Sequence, residues 1–366
     1  MRFTVRRGAA LVAVLAAVAA LLCAPLTSAA TPKKKALGPV RVNGQPIRAI
    51  ALTDIRQFST LSLPDLDRIK ADGFNTVTLY VYRFMADKYA NDLHTGVWTE
   101  PDALLEQTID AAHAAGLAVE LSPTAWVGTG GGAFIWRGGI APTDRNAFWD
   151  SYRAMLEHYA DLAQAHHVEL FGLGSEMQSL EGDVSQWQHT VTDIRSHYSG
   201  PLTYFTITVN MALIKWWSLV DVPGISPYVS LSSSAQPSYG EVMNAWNTKL
   251  LPYLRKVEKV VGRPMFIAET GYASSQFAAL HPEAGAAGPV DEGVQATLYR
   301  ALLDAPLTDK IFDGVSFWRW SAYQVGPIDR GFSPKGKQAE CVLAERWATA
   351  GSSSLAQCQS GGVVRY

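Results

Sequence analysis

The chain has 366 residues, 31 Lys and Arg against 33 Asp and Glu, and 48% hydrophobic side chains. This balance argues against nucleic-acid binding and against a membrane-surface role, because no basic excess exists to neutralise phosphates. The length allows one large domain or two ordinary ones.

The elements begin with an export signal. Met1 to Ala30 runs from basic residues through an apolar stretch to the small residues "SAA", the pattern of a signal peptide cleaved after Ala30. The mature chain is therefore expected to be secreted and extracellular, a retained membrane anchor being the alternative. Leu22 is too bulky before Cys23 for the usual lipoprotein cleavage pattern. The residues after Arg6-Arg7 fit twin-arginine export poorly. Residues 31–46, with Lys33-Lys34-Lys35, read as a short exposed leader.

An alternation of strand and helix follows. "IRAIALTDI" reads as a strand, then "SLPDLDRIKADGF" as a helix capped by Ser62 with Pro64 in its first turn. "NTVTLYVY" precedes "TEPDALLEQTIDAAHAAG", which Gly116 closes, and "LAVELSPTAW" precedes "TDRNAFWDSYRAMLEHYADLAQAHH". "VELFGLGSE" pairs with "DVSQWQHTVTDIRSHY", and "PLTYFTITVN" with a short, ill-defined helix around "MALIKWW". "VDVPGISPYVS" leads to the long helix "SYGEVMNAWNTKLLPYLRKVEKVVG", and "RPMFIAETGY" to "DEGVQATLYRALLDA". "FDGVSFWRW" is the eighth strand, followed by "SPKGKQAECVLAERWATA". Eight such pairs without a compositional break predict a single (β/α)8 TIM barrel over residues 47–350, with a tail at 351–366. A doubly wound open sheet is the alternative, but its glycine fingerprint is missing after the first strand. "GTGGGA" from Gly128 leads into "FIWRGG" and no helix, so it reads as a mobile loop over the site.

In such a barrel the site lies at the C-terminal ends of the strands. The residues ending the strands are Asp54, Tyr80, Tyr82, Trp126, Glu176, Asn210, Tyr228, Glu269, Trp318 and Trp320. Aromatic faces stack on pyranose rings, and paired carboxylates perform acid, base and nucleophile steps. Glu176 and Glu269 stand 93 positions apart, on strands four and seven, at opposite sides of the mouth. Such an opposition can deliver the roughly 5–5.5 Å carboxyl separation of a retaining glycosidase.

A secreted barrel with these two glutamates resembles glycoside hydrolase clan A. The segments "GLGSEMQSLEG", "PMFIAETGYAS" and "FWRWSAYQVGPIDRGFSPKGKQAE" resemble glycoside hydrolase family 113, which includes β-mannanases, across roughly Ile47 to Trp347. The resemblance implies Glu176 as acid/base and Glu269 as nucleophile. It implies that Tyr228 hydrogen-bonds the nucleophile and that Trp320 floors the −1 subsite. It further implies a polysaccharide or oligosaccharide substrate, double displacement and no cofactor. One position departs from the clan: Ser175 stands directly before the acid/base, where Asn usually contacts the sugar 2-hydroxyl. Asn210 is a candidate to supply that amide from strand five.

Two rival readings are a catalytically silent carbohydrate- or cell-wall-binding barrel and a serine hydrolase. "GLGSE" lacks the closing glycine of a nucleophile elbow. Cys341 and Cys358, the two cysteines left after signal removal, would in an oxidising compartment staple the tail to the last helix; two free thiols are the alternative. Two cysteines cannot form a zinc site alone, and the eight histidines show no HExxH or HxH spacing, so no metal is expected. His166-His167 reads as a polar helix end. Trp216-Trp217 fits core packing better than a sugar platform, whereas Trp136, in the glycine loop, is placed to touch ligand. A monomer is expected.

Overall fold

The computed structural model describes residues 40–52, 63–96, 98–128, 135–285, 288–322 and 328–359. The segment expected to be an export signal, the start of the expected leader, Asp54, Ser62 and the glycine run at 129–133 lie outside the described residues. Eight parallel strands close a barrel in chain order: β1 (Ile47–Leu52), β2 (Thr76–Met85), β3 (Ala118–Val127), β4 (Leu170–Ser175), β5 (Leu202–Ile207), β6 (Val222–Ser226), β7 (Met265–Thr270) and β8 (Phe312–Trp320), with β8 returning to β1. The helices between them are α1 (Leu63–Ala71), α2 (Asp102–Ala114), α3 (Arg145–Ala165), α4 (Val184–His197), α5 (Tyr239–Ala245), α6 (Leu251–Val261) and α7 (Glu292–Asp304). After β8 come α8 (Gln338–Trp347) and α9 (Ser353–Gln359). The expected (β/α)8 barrel is the observed fold.

Strand alternation sorts the core into two layers. Tyr80, Tyr82 and Phe84 of β2 point inward with Ala49, Leu170, Phe205 and Phe266, while Val77, Leu79 and Val81 face the helices. Helix α3 shows the matching stripe: Phe148, Trp149, Tyr152, Leu156, Tyr159 and Ala163 recur three or four apart and are buried. Asp144 starts that helix, its carboxylate accepting from the Asn146 and Ala147 amides. The long helix expected before β7 is present with one irregularity. A π-turn at Trp246–Leu250 separates α5 from α6. Pro252, in the first turn of α6, has no N–H to donate and would crowd a regular turn before it. Trp216 and Trp217 are buried in the core, as packing residues.

Deep inside the barrel a polar trio replaces hydrophobic filling. The Thr78 hydroxyl donates to Glu120 at 2.8 Å, and Ser316 then donates to Thr78 at 2.8 Å. Burial pushes the Glu120 carboxyl up to about 7.

Three strands carry an extra residue near the mouth. Between pairs on β4 and β5, Gly172↔Thr203 and Ser175↔Phe205, three steps on β4 meet two on β5. Ile267↔Val315 and Thr270↔Phe317 give the same excess on β7, and Ile50↔Phe317 and Leu52↔Trp320 give it on β8. Each bulge flips the side chains beyond it to the other face of the sheet. On β8 this corrects an expectation. Trp318 faces the mouth, but Trp320 is fully buried among the outer core, below Arg68 of α1 (5.6 Å to the ring) and Lys335 (5.9 Å). It therefore does not floor the sugar site. Cys341 on α8 and Cys358 on α9 form a disulfide, the tail staple.

Candidate active site

A cavity of about 590 Å³ opens at the C-terminal ends of the strands, within the usual range for ligand sites. Its walls include Tyr80, Tyr82, Trp126, Trp136, Arg137, Glu176, Ser226, Tyr228, Glu269 and Trp318. Both glutamates thus meet in one aromatic-walled space. Trp318 meets Tyr80 edge to face at 5.4 Å, Tyr80 stacks with Tyr82 at 6.5 Å, and Tyr82 meets Trp126 edge to face at 5.3 Å.

Glu176 is delivered by an unusual backbone. Gly174 has φ +122°, and a Cβ there would sit 2.1 Å from the Tyr152 hydroxyl, which donates to the Leu173 carbonyl at 2.7 Å. Only glycine fits this approach. Glu176 itself adopts φ +49°, a left-handed conformation costing on the order of 1 kcal/mol. Its amide donates to the Phe205 carbonyl at 2.8 Å, and the next amide, of Met177, donates to the Tyr204 hydroxyl at 3.0 Å. Its carboxylate accepts from Ser226 Oγ at 2.5 Å and from Trp136 Nε1 at 3.0 Å. Trp136 thus touches a site glutamate as well as the cavity.

Glu269 is enclosed by protein except toward the cavity. The Tyr80 hydroxyl donates to it at 3.3 Å. The buried Tyr228 hydroxyl stabilises the same carboxylate from close by, without a hydrogen bond of standard geometry. Burial, and then the charge of Glu176, push the Glu269 carboxyl up to about 7; Arg137, Tyr228 and Tyr80 pull against them without prevailing. Attack on a sugar needs this carboxylate ionised, yet the site holds its titration near neutral pH. The reason is that two acids share one desolvated space.

Ser175 and Asn210 do not reach the cavity wall. Ser175 is buried, and its hydroxyl and carbonyl accept from Arg137 Nε at 2.9 and 3.1 Å. Arg137, not Ser175, therefore presents a donor to the cavity. The Asn210 amide donates to Glu181 at 2.9 Å, and the same carboxylate accepts from the Tyr204 hydroxyl at 2.9 Å. Asn210 thus anchors the loop after β4 and supplies no amide to a sugar. Sequence reasoning missed Arg137 and Ser226. Arg137 carried one signal: it follows Trp136 directly in the loop already read as covering the site.

The Glycoside Hydrolase Family 113 model matches residues 58–334. The chain belongs to glycoside hydrolase family 113. It is therefore a glycoside hydrolase, of the retaining clan A type. A family 113 β-mannanase of Alicyclobacillus acidocaldarius, solved with ManMIm, superposes with TM-score 0.73 at 26% identity over 83% of this chain and 97% of that one. A family 113 β-1,4-mannanase complex gives TM-score 0.73 at 22% identity, covering 83% and 99% of the two chains. A GH5_18 variant of Streptomyces cattleya, solved with Manβ1-4GlcNAc, gives 0.55 at 14% identity over 84% and 82%, a likeness of fold alone. No functionally curated protein matches the sequence.

Membership in family 113 settles the choice between a serine hydrolase and a glycosidase in favour of the latter. It also gives the two-glutamate cavity a reaction class in which both carboxylates and the aromatic walls have work to do.

Proposed function

We propose that this family 113 enzyme is an exported hydrolase of β-mannan that acts by double displacement, with Glu269 as nucleophile and Glu176 as acid/base. The observation that carries the assignment is the opposed pair in one cavity: Glu269 backed by two tyrosine hydroxyls, and Glu176 held by Ser226 and Trp136. In the first step a Glu269 oxygen bonds to the anomeric carbon as the bond to the leaving oxygen breaks, and Glu176 gives that oxygen its proton. In the second, Glu176 takes a proton from water, whose oxygen displaces Glu269 from the sugar. Tyr80 and Tyr228 steady the carboxylate when it is expelled. The N-terminal signal pattern supports export, and the likeness to a β-mannanase supports mannan.

Glu269→Ala is expected to abolish turnover, and azide to restore part of it with an inverted glycosyl azide product. Full activity in Glu269→Ala would refute the role. A second reading, cleavage of another β-linked glycan, is favoured by the Ser175–Arg137 pair, which changes the donor beside the acid/base. Assays of reducing-end release from mannans, glucans and xylans distinguish the two readings by which polymer is cut.

A further inference from the structure

The aromatic wall of the cavity does not stop at its edge. Beyond Trp126 stands Trp98, edge to face with it at 5.5 Å and 6.3 Å from the Phe84 ring. Trp98 is 46% exposed, an unusual place for so large an apolar surface. The backbone on either side of it is held by hydrogen bonds. The loop after β2 folds back onto the strand, Phe84 and His94 exchanging amide hydrogen bonds at 2.8 and 2.9 Å. Thr99 Oγ1 donates to the Tyr82 carbonyl at 2.8 Å and accepts from the Gly96 amide at 2.9 Å. Gly96 lies flat on the Phe84 ring, where an added Cβ would come within 2.3 Å. The loop is thus clamped at both ends, and its exposed ring continues the line of Trp318, Tyr80, Tyr82 and Trp126. A ring held edge-on by Trp126 and Phe84 leaves part of its surface to solvent, where a sugar can stack.

We propose that Trp98 is a sugar-binding platform outside the cavity, on which a β-linked glycan chain rests after leaving the site over Trp126. This rests on the reading of the cavity as a glycosidase site. It makes the enzyme one that engages the body of a polymer and not only a short end.

The test compares Trp98→Ala and Trp98→Phe with the wild-type chain on β-1,4-linked manno-oligosaccharides of increasing length and on the polymer. The readout is the ratio of kcat/KM on the polymer to kcat/KM on the shortest oligosaccharide cleaved. Trp98→Ala should lower this ratio about three- to tenfold, the range for one aromatic contact, and Trp98→Phe should restore most of it. An unchanged ratio, including an equal fall on all lengths, overturns the proposal. Retardation of the same three proteins in gels containing soluble mannan, glucan or xylan keeps the question separate from catalysis. If the wild type cleaves nothing but is retarded, and Trp98→Ala is not, the activity reading fails and the platform stands. If none of the polymers retards the wild type and none is cleaved, the platform falls with it.

Discussion

At the scale of single residues, the two glutamates behave as a pair and not as independent acids. Burial first, and then the charge of Glu176, hold Glu269 near 7, so the pair keeps a proton up to that pH. The singly protonated pair has the proton count that double displacement needs. In the proposed mechanism, substrate selects the arrangement with the proton on Glu176, next to the glycosidic oxygen. kcat/KM is therefore expected to fall as pH rises through about 7, and initial rates on soluble substrate across pH check this. Glu176→Gln removes one cause of the elevation, so Glu269 should titrate at lower pH in that variant. An aryl glycoside with a good leaving group needs no acid assistance and reports this directly; a limb that stays at the wild-type pH refutes the coupling. Arg137 acts in the opposite sense, pulling Glu269 down. Arg137→Gln should move the fall in kcat/KM to higher pH, and an unmoved profile would remove Arg137 from the electrostatics of the site. Ser175, which departs from the clan, acts here as the seat of that guanidinium.

At the scale of elements, the strand–helix rhythm was legible because short apolar runs alternate with longer stretches carrying a helical buried stripe, as in α3 and α7. Strand order needed no further information once eight units closed. The bulges were not legible. An extra residue in β4, β7 or β8 changes no composition and leaves the apolar run intact, yet it decides which side chain meets the cavity. Trp318 and Trp320, two apart, belong on one face of a regular strand. The bulge on β8 separates them, so Trp320, which the family resemblance put at the −1 sugar, turns into the outer core. Asn210 failed for a related reason: β5 ends at Ile207, and the turn beyond it spends the amide on Glu181. The short helix α9 makes a prediction at this scale. It is seven residues long and is tied to α8 by the disulfide across a sequence separation of 17. A loop of that size restricts the unfolded chain by roughly 3 kcal/mol. Replacing both cysteines with serine should lower the thermal midpoint by several degrees while leaving kcat/KM at room temperature unchanged, since the helix pair stands apart from the cavity wall. Calorimetry beside an activity assay checks both halves.

At the scale of the whole molecule, the segment that follows β8 acts largely as a structural clamp. In "RGFSPKGKQAE", Lys335 pairs with Asp65 of α1 at 2.9 Å, Lys337 with Asp329 at 2.6 Å, and Glu340 with Arg68 through two contacts of 2.6 Å. The clamp ties the chain after β8 to the first helix and so closes the barrel from outside. One acid beside it makes no ion pair of its own among the described residues, the nearby Arg68 being engaged by Glu340. Asp72, fully buried at the end of α1, lies against Glu340 and Ser354, and neither of its oxygens has a hydrogen-bond partner of standard geometry among the described residues. Burial first, and then the charge of Glu340, hold its carboxyl well above the ordinary range. An acid whose folded value is raised supports the fold most below its unfolded value, and that support is lost as pH rises toward the folded value. Asp72→Asn keeps the shape, cannot ionise and can still donate to Glu340. The thermal midpoint of Asp72→Asn relative to wild type should therefore climb as pH rises from the ordinary carboxylate range, and level off once Asp72 is ionised in the wild-type fold. A midpoint difference that stays constant across this range would show that the buried charge is compensated by a partner, and the account of the clamp would have to be redrawn around that partner.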